Sequence, residues 1–252
     1  MNKRIFLAGA SGAIGRRLTP LLCASGHVVA GTTRSAGRTS MLRALGAEPV
    51  VVDVYDAAAL ADAVAAFRPD VVIHQLTDLP QGLDPTRMAQ AVVDNARIRT
   101  EGTANLVRAA IAAGARRMVA QSIAWAYVPG PGPHREGDAL DLGAEGSRGI
   151  TVAGVAALER QVLQSSPLKG VVLRYAGLYG PGTHAAEPRS ALSVHVDAAA
   201  HAALRAVETD ASGIFNIAEP NDEVDAEAAR TRLGWSADFR LTEGESAAAD
   251  AR

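Results

Sequence analysis

The chain has 252 residues, 48% of them hydrophobic and 21% charged, with a formal net charge of -2. A chain of this length buries a full core within one domain, and scattered arginines at near-neutral charge argue against nucleic acid or an anionic membrane, leaving a small-molecule partner. The single cysteine, Cys23, has no internal partner, the apolar stretch behind Met1-Asn2-Lys3-Arg4 is too short for a secretory core, and no run reaches bilayer length, so a cytoplasmic protein is expected.

Taken in chain order, short β-branched runs alternate with alanine-rich helical stretches, the pattern of βα units winding a parallel sheet. Strands are predicted at Arg4–Ala8, His27–Thr33, Glu48–Val52, Asp70–His74, Arg116–Gln121, Gly170–Arg174 and Gly213–Ile217. Runs such as Val50-Val51-Val52 and Val71-Val72-Ile73 are apolar without alternation, as a sheet covered on both faces requires. The longest helix is expected from about Pro85 to Ala113, and another from about Ile150 to Gln164 with Leu158, Val162 and Leu163 on its apolar side. Two irregular segments, 128–149 and 180–191, follow strand ends, where open α/β sheets bind ligands. The fold class is thus α/β, a Rossmann-type doubly wound parallel sheet, forming a single domain over 1–241 with a flexible tail over 242–252.

The turn Gly9-Ala10-Ser11-Gly12-Ala13-Ile14-Gly15 follows the first strand and opens a helix. Gly9 permits the tight turn, Gly12 lets the backbone approach a pyrophosphate, Gly15 lets helix and strand pack closely, and the helix amino end attracts phosphates. The second strand ends Thr32-Thr33-Arg34-Ser35, with no acid to hold an adenosine ribose. Arg34, with Arg38 near it, has the planar fork that pairs with a 2′-phosphate, so NADP(H) is expected over NAD(H).

These features, with Val52-Asp53-Val54, Val72-Ile73-His74-Gln75, Glu101-Gly102-Thr103-Ala104-Asn105-Leu106, Arg174-Tyr175-Ala176-Gly177-Leu178-Tyr179-Gly180-Pro181-Gly182 and Val194-His195-Val196-Asp197, resemble the extended and atypical branches of the short-chain dehydrogenase/reductase superfamily, the NAD(P)-dependent epimerase/dehydratase-like proteins. The resemblance implies cofactor contacts from Gly9, Ser11, Gly12, Ala13, Ile14 and Gly15, from Arg34, Asp53 and Val54, from Gln75 and Leu76, and from Gln121 and Tyr175. It also implies substrate-binding elements from 122–150, 176–195 and 213–240, and either a monomer or a homodimer.

The chain departs from the family where proton transfer belongs. Such proteins use a Ser or Thr and a Tyr-x-x-x-Lys pair, but Lys3 and Lys169 are the only lysines and neither follows a tyrosine by four. Aligned on Ala157-Leu158-Glu159, Thr151 takes the tyrosine's place and Val155 the lysine's, while Gln121-Ser122-Ile123-Ala124-Trp125-Ala126-Tyr127 aligned by its tyrosine puts Ile123 at the catalytic hydroxyl, with Ser122 one position early. The stretch between the Gly-Pro-Gly and His-Val-Asp segments is also short, giving a small, trimmed C-terminal substrate region suited to a compact, largely apolar substrate. Ser122, Tyr127 and Thr151 are the candidate catalytic groups, orienting a carbonyl or activated alkene by hydrogen bonds, and His184 lies on a well-placed loop. No metal is expected, since no histidines and acids have ligand spacing. An atypical NADP(H)-dependent oxidoreductase is the leading expectation. A catalytically silent NADP(H) sensor and a non-redox isomerase or lyase are the alternatives.

Overall fold

The computed structural model describes residues 2–80, 84–242 and 249; all but the first and one other residue of the tail expected over 242–252 lie outside them. Seven strands form one parallel sheet: β1 (Arg4–Ala8), β2 (Val28–Thr33), β3 (Glu48–Val51), β4 (Val71–His74), β5 (Arg117–Ile123), β6 (Lys169–Tyr175) and β9 (Gly213–Ile217), ordered β3-β2-β1-β4-β5-β6-β9. Each predicted strand is present, two with the expected ends and five with ends moved by one or two residues. The order reverses between β1 and β4, so the carboxyl ends of these two strands part into a crevice at the switch point.

Alternation along the strands feeds two cores. Ile5 and Leu7 of β1 pack with Leu18 and Leu22 of α1 (Ala13–Ala24), Leu42 of α2 (Thr39–Ala44) and the buried alanines of α7 (Val196–Glu208). Phe6 and Ala8 face the other layer, meeting Leu60 and Val64 of α3 (Ala57–Phe67), Leu106 of α5 (Thr103–Ala112) and Leu158 and Val162 of α6 (Gly146–Gln164). Burying a Leu or Phe completely stabilises by about 1.5–3 kcal/mol, so both faces of the sheet's centre are covered strongly; the edge strand β3 is not, Val51 being 52% exposed, because among the described residues no helix lies beyond it to cover the run expected to be buried on both faces. Side chains fix the helix starts: the Asp56 carboxylate accepts from Ala59 N at 3.0 Å to open α3, and His195 Nδ1 accepts from Asp197 N at 3.2 Å to open α7.

The long helix expected over 85–113 is not uniform. A 3-10 turn at Pro85–Arg87 leads into α4 (Met88–Arg97), then a wider π-type turn at Ile98–Gly102, then α5. Two three-residue strands, β7 (Gly177–Tyr179) and β8 (Ser193–His195), pair in parallel and tie down the loop between them; they are too short to leave a periodic signal.

Candidate active site

The glycine turn sits at the switch point as its spacing requires. Gly9 adopts φ 91°, and a Cβ there would lie 2.6 Å from the Gln75 carbonyl oxygen, while one on Gly15 would lie 2.2 Å from the Gly9 oxygen. Gly12 opens α1 with no side-chain cap and no acid in the first turn, so the first amides of the helix are left for an anion. In front of them runs a trough of about 330 Å³ lined by Gly9, Ser11, Gly12, Arg34, Val54, Gln75 and Leu76, and also by Thr33, Arg38, Tyr55 and Thr77. Gln75 donates from Nε2 to the Tyr175 hydroxyl at 3.3 Å, but its buried Oε1 has no partner. A buried amide oxygen facing a trough with a bare helix amino end fits a dinucleotide.

The remaining expected contacts divide. Ala13, Ile14 and Gly15 form the first turn of α1 and do not line the trough, Ile14 being buried in the core. Asp53 is not in the lining either: its carboxylate accepts from Tyr55 N at 3.0 Å in its own turn, and its neighbours Val54 and Tyr55 face the cavity instead. At the β2 end of the trough, Arg34 forms a two-point ion pair with Asp78 (3.0 and 3.4 Å), and Arg38 donates to the Ser11 hydroxyl at 3.3 Å.

Beyond Thr77, which belongs to both, lies a second chamber of about 310 Å³. Its walls are mostly apolar, with Leu79, Met88, Val92, Ile123, Trp125 and Leu178 contributing. Gln121 and Tyr175, expected at the cofactor, line this chamber rather than the trough. Gln121 Nε2 donates to the Leu76 carbonyl at 2.8 Å, and burial pushes the Tyr175 phenol above its ordinary range. The segments 122–150 and 176–195 supply wall residues, His184 among them; 213–240 supplies none.

Of the candidate catalytic groups, Ser122 and Thr151 come together in the chamber wall. Ser122 is buried and donates its hydroxyl to Glu159 Oε1 at 2.8 Å. Glu159 in turn is gripped by Arg174, Nε to Oε1 at 2.8 Å and Nη2 to Oε2 at 2.7 Å. Thr151 forms no side-chain hydrogen bond among the described residues. Tyr127 does not join them. Its buried hydroxyl donates to Asn216 Oδ1 at 2.6 Å, its ring stacks on His134 and lies under the Arg174 guanidinium, and it lines neither cavity. The chain has already turned past β5 at Tyr127, which bridges to Leu140.

Sequence reasoning missed Thr77, Tyr55 and Arg99. Arg99 sits on the π-type turn and is the chamber's only arginine. Among the described residues no group of three His, Cys, Asp or Glu could hold a metal ion, and no helix is long and apolar enough to cross a membrane.

A family model described as NAD(P)H-binding matches residues 9–210. A 3-diazoavenalumate denitrifying reductase from a Streptomyces species is 41% identical, over 98% of this chain and 92% of its own length. A dTDP-4-dehydrorhamnose reductase of Streptomyces griseus is 33% identical, over 71% of this chain and 51% of its own length. Among solved structures, the UDP-glucose 4-epimerase of Thermotoga maritima superposes with a TM-score of 0.74 at 19% identity, over 98% of this chain and 97% of that one. The Bordetella bronchiseptica enzyme WbmG in complex with NAD gives 0.72 at 20% identity, over 98% and 92%. At these identities the solved structures speak for the fold.

Proposed function

Because the chain belongs to the NAD(P)H-binding family and is an NAD(P)H-dependent oxidoreductase of the epimerase-like short-chain dehydrogenase/reductase type, we propose that it reduces a small, flat, largely apolar acceptor whose reduction consumes no proton, an aryl diazo compound. The observation that carries this reading is the apolar chamber beside the nucleotide trough, equipped with almost nothing that donates a proton. Burial makes the Tyr175 phenol a weaker acid than usual, the Ser122 hydrogen is committed to Glu159, burial and Arg189 hold the His184 imidazole toward its neutral form, and Thr151 is a hydroxyl with no hydrogen-bond partner among the described residues.

The missing proton donor matches the chemistry. When bound, the reduced nicotinamide supplies hydride. An aryl diazonium group that gains hydride goes overall to Ar–H and N₂: a C–H bond forms, the C–N bond breaks, its electron pair leaves with nitrogen, and no acid takes part. Ketone reduction instead must protonate an oxyanion, the task of the family's tyrosine. The name of the 41%-identical relative, a denitrifying reductase of a diazo compound, supports the same class here. The protein's part is then to bind and orient: the helix amino end holds the phosphates, Gln75 offers its free oxygen, and Leu79, Met88, Val92, Ile123 and Trp125 exclude water from the reacting carbon.

NADPH is the proposed reductant, supported by Arg34 and Arg38 at the ribose end and by the absence of an acid at the tip of β2. The unbonded Thr151 hydroxyl favours a second reading, a carbonyl or activated alkene oriented by one hydrogen bond. Purified protein is mixed with NADPH or NADH and with aryl diazo acids, ketones and enones, following nicotinamide absorbance and N₂ release together. The diazo acids are expected to give matched cofactor oxidation and gas. Oxidation with ketones or enones alone moves the function to the second reading, and none above background overturns both.

A further inference from the structure

The chamber contains a cation that nothing among the described residues pairs. Arg99 is carried by the π-type turn between α4 and α5, a wider turn that shifts the register of the side chains it bears. Its stem crosses α6 at Gly154, where an added Cβ would stand 3.5 Å from Arg99 Cδ and 3.1 Å from Ala96 Cα. The absent side chain at Gly154 therefore lets the arginine lie between two closely packed helices.

No carboxylate within pairing distance and no hydrogen-bond acceptor holds Arg99 among the described residues. The acid whose field reaches it, Glu159, has Oε1 taken by Arg174 and Ser122 and Oε2 by Arg174 again. The other titratable groups in the wall add no negative charge: burial and Arg189 hold His184 below the ordinary histidine value, and burial holds Tyr175 above the ordinary phenol value. Burial pulls the Arg99 guanidinium down to about 10, which leaves it charged at neutral pH. A lone charge in an apolar wall is costly unless an anion meets it. The cofactor's phosphates do not serve, because Arg99 lines the chamber and not the trough in front of the α1 amino end.

We propose that Arg99 binds a carboxylate on the substrate, so that the chamber selects a small unsaturated or aromatic acid and turns its reducible group toward the junction with the trough at Thr77. A planar guanidinium pairs two-point with a planar carboxylate, and one cation in mostly apolar walls neutralises a monoanion but not a phosphate dianion. The inference rests on reading the chamber as the substrate site, and it adds the chemical handle by which the substrate is held.

The test measures binding without turnover. Enzyme saturated with oxidised cofactor is titrated calorimetrically with trans-cinnamate and, separately, with trans-cinnamamide, which has the same shape without the charge. The acid is expected to bind about tenfold to a hundredfold more tightly than the amide. Arg99→Gln is expected to erase that preference while amide and cofactor affinities stay as they were, and Arg99→Lys to keep part of it. Equal binding of acid and amide by the native chain, binding of neither, or a preference that survives Arg99→Gln overturns the proposal. If Arg99→Gln does not fold, the native comparison and Arg99→Lys decide. Because the complex is oxidised, failure of the diazo reaction leaves this result standing, and loss of acid preference leaves the reaction class standing.

Discussion

Ser122 and Glu159 are joined by a 2.8 Å hydrogen bond inside the protein, the hydroxyl donating to a carboxylate that Arg174 already holds at both oxygens. The serine near the end of β5, one position before the place of the family's catalytic hydroxyl, is thus the third member of a buried ion-pair network. Ser122→Ala is expected to lower stability by about 1.5–3 kcal/mol, the worth of a hydrogen bond to a charged group, and to change kcat by less than about threefold. Removing a general acid or base costs about 10²–10⁴, so a loss of that size on Ser122→Ala would restore the serine to the chemistry. Glu159→Gln, which leaves Arg174 buried and unpaired, is expected to cost about 3–5 kcal/mol. Denaturant unfolding reads both.

Thr151 separates the two proposed reaction classes. It lines the chamber at the place of the family's tyrosine and has no hydrogen-bond partner among the described residues. If reduction ends in loss of N₂, no proton is needed, and Thr151→Val should leave kcat with a diazo acid within about fivefold, against the 10²–10⁴ typical of a lost acid. A loss in that larger range, with KM little changed, would mean that the hydroxyl donates in the transition state and would favour the carbonyl or alkene reading.

The parts legible in the sequence were those fixed by local rules. The apolar runs at the sheet's centre became strands because a sheet covered on both faces needs apolar residues on both, and the glycine spacing located the trough because Gly9 and Gly15 face backbone that a Cβ would strike. Thr151 and Ser122 reached the chamber because α6 and β5 set their registers. What stayed hidden depended on contacts far apart in the chain. Asp78 meets Arg34 across 44 residues, and Tyr127 turns inward to Asn216 across 89. Arg97 and Arg99 stand two positions apart and so on different helix faces, but periodicity does not say which face meets the chamber: Arg97 pairs with Glu101 on the surface and Arg99 enters the chamber.

His74 supplies a pH dependence of stability. It is fully buried, Nε2 lies 3.1 Å from Thr103 Oγ1, Leu76 N donates to Nδ1 at 3.2 Å, and burial with the nearby Arg99 charge takes its pKa from 6.5 to about 3. The folded state therefore keeps this imidazole neutral over a range in which the unfolded chain protonates it. Its contribution is constant above about pH 6.5, and stability falls as pH drops from there toward 3, by about 1.4 kcal/mol per pH unit. The difference in unfolding free energy between the native chain and His74→Asn should narrow with that slope between pH 6 and 4. A difference that stays flat there would mean that His74 charges in the folded state.

Two glycines of the same turn should fail in different ways. An added Cβ at Gly15 would lie 2.2 Å from the Gly9 carbonyl, whereas at Gly12 its nearest contact is that same oxygen at 3.3 Å. Gly15→Ala should cost about 1–3 kcal/mol or more through overpacking. Gly12→Ala should change stability by less than about 1 kcal/mol yet weaken NADPH binding about tenfold or more, since its methyl stands where the pyrophosphate approaches. Thermal unfolding with and without cofactor separates the cases, and a Gly12→Ala protein that binds NADPH normally would remove the pyrophosphate from the amino end of α1.

On the proposed NADPH reading, cofactor choice turns on Asp78. Its carboxylate holds Arg34 at 3.0 and 3.4 Å, with the two side chains 56% and 31% exposed. An exposed pair of this kind is worth about 1 kcal/mol or less, and a 2′-phosphate offers the same guanidinium fork a stronger charge-assisted pairing. The phosphate must still displace Asp78 or stand beside it, so the acid weakens the preference that the arginine creates. Asp78→Asn should therefore tighten NADPH by about threefold to tenfold and leave NADH nearly unchanged, while Arg34→Ala should weaken NADPH by about tenfold and NADH little. Fluorescence titration of both cofactors against both variants gives the four numbers required. If Arg34→Ala weakens the two cofactors equally and Asp78→Asn leaves their ratio fixed, Arg34 does not read the 2′-phosphate, and selection passes to Arg38, whose one side-chain hydrogen bond among the described residues, to Ser11, a phosphate can replace without breaking an ion pair.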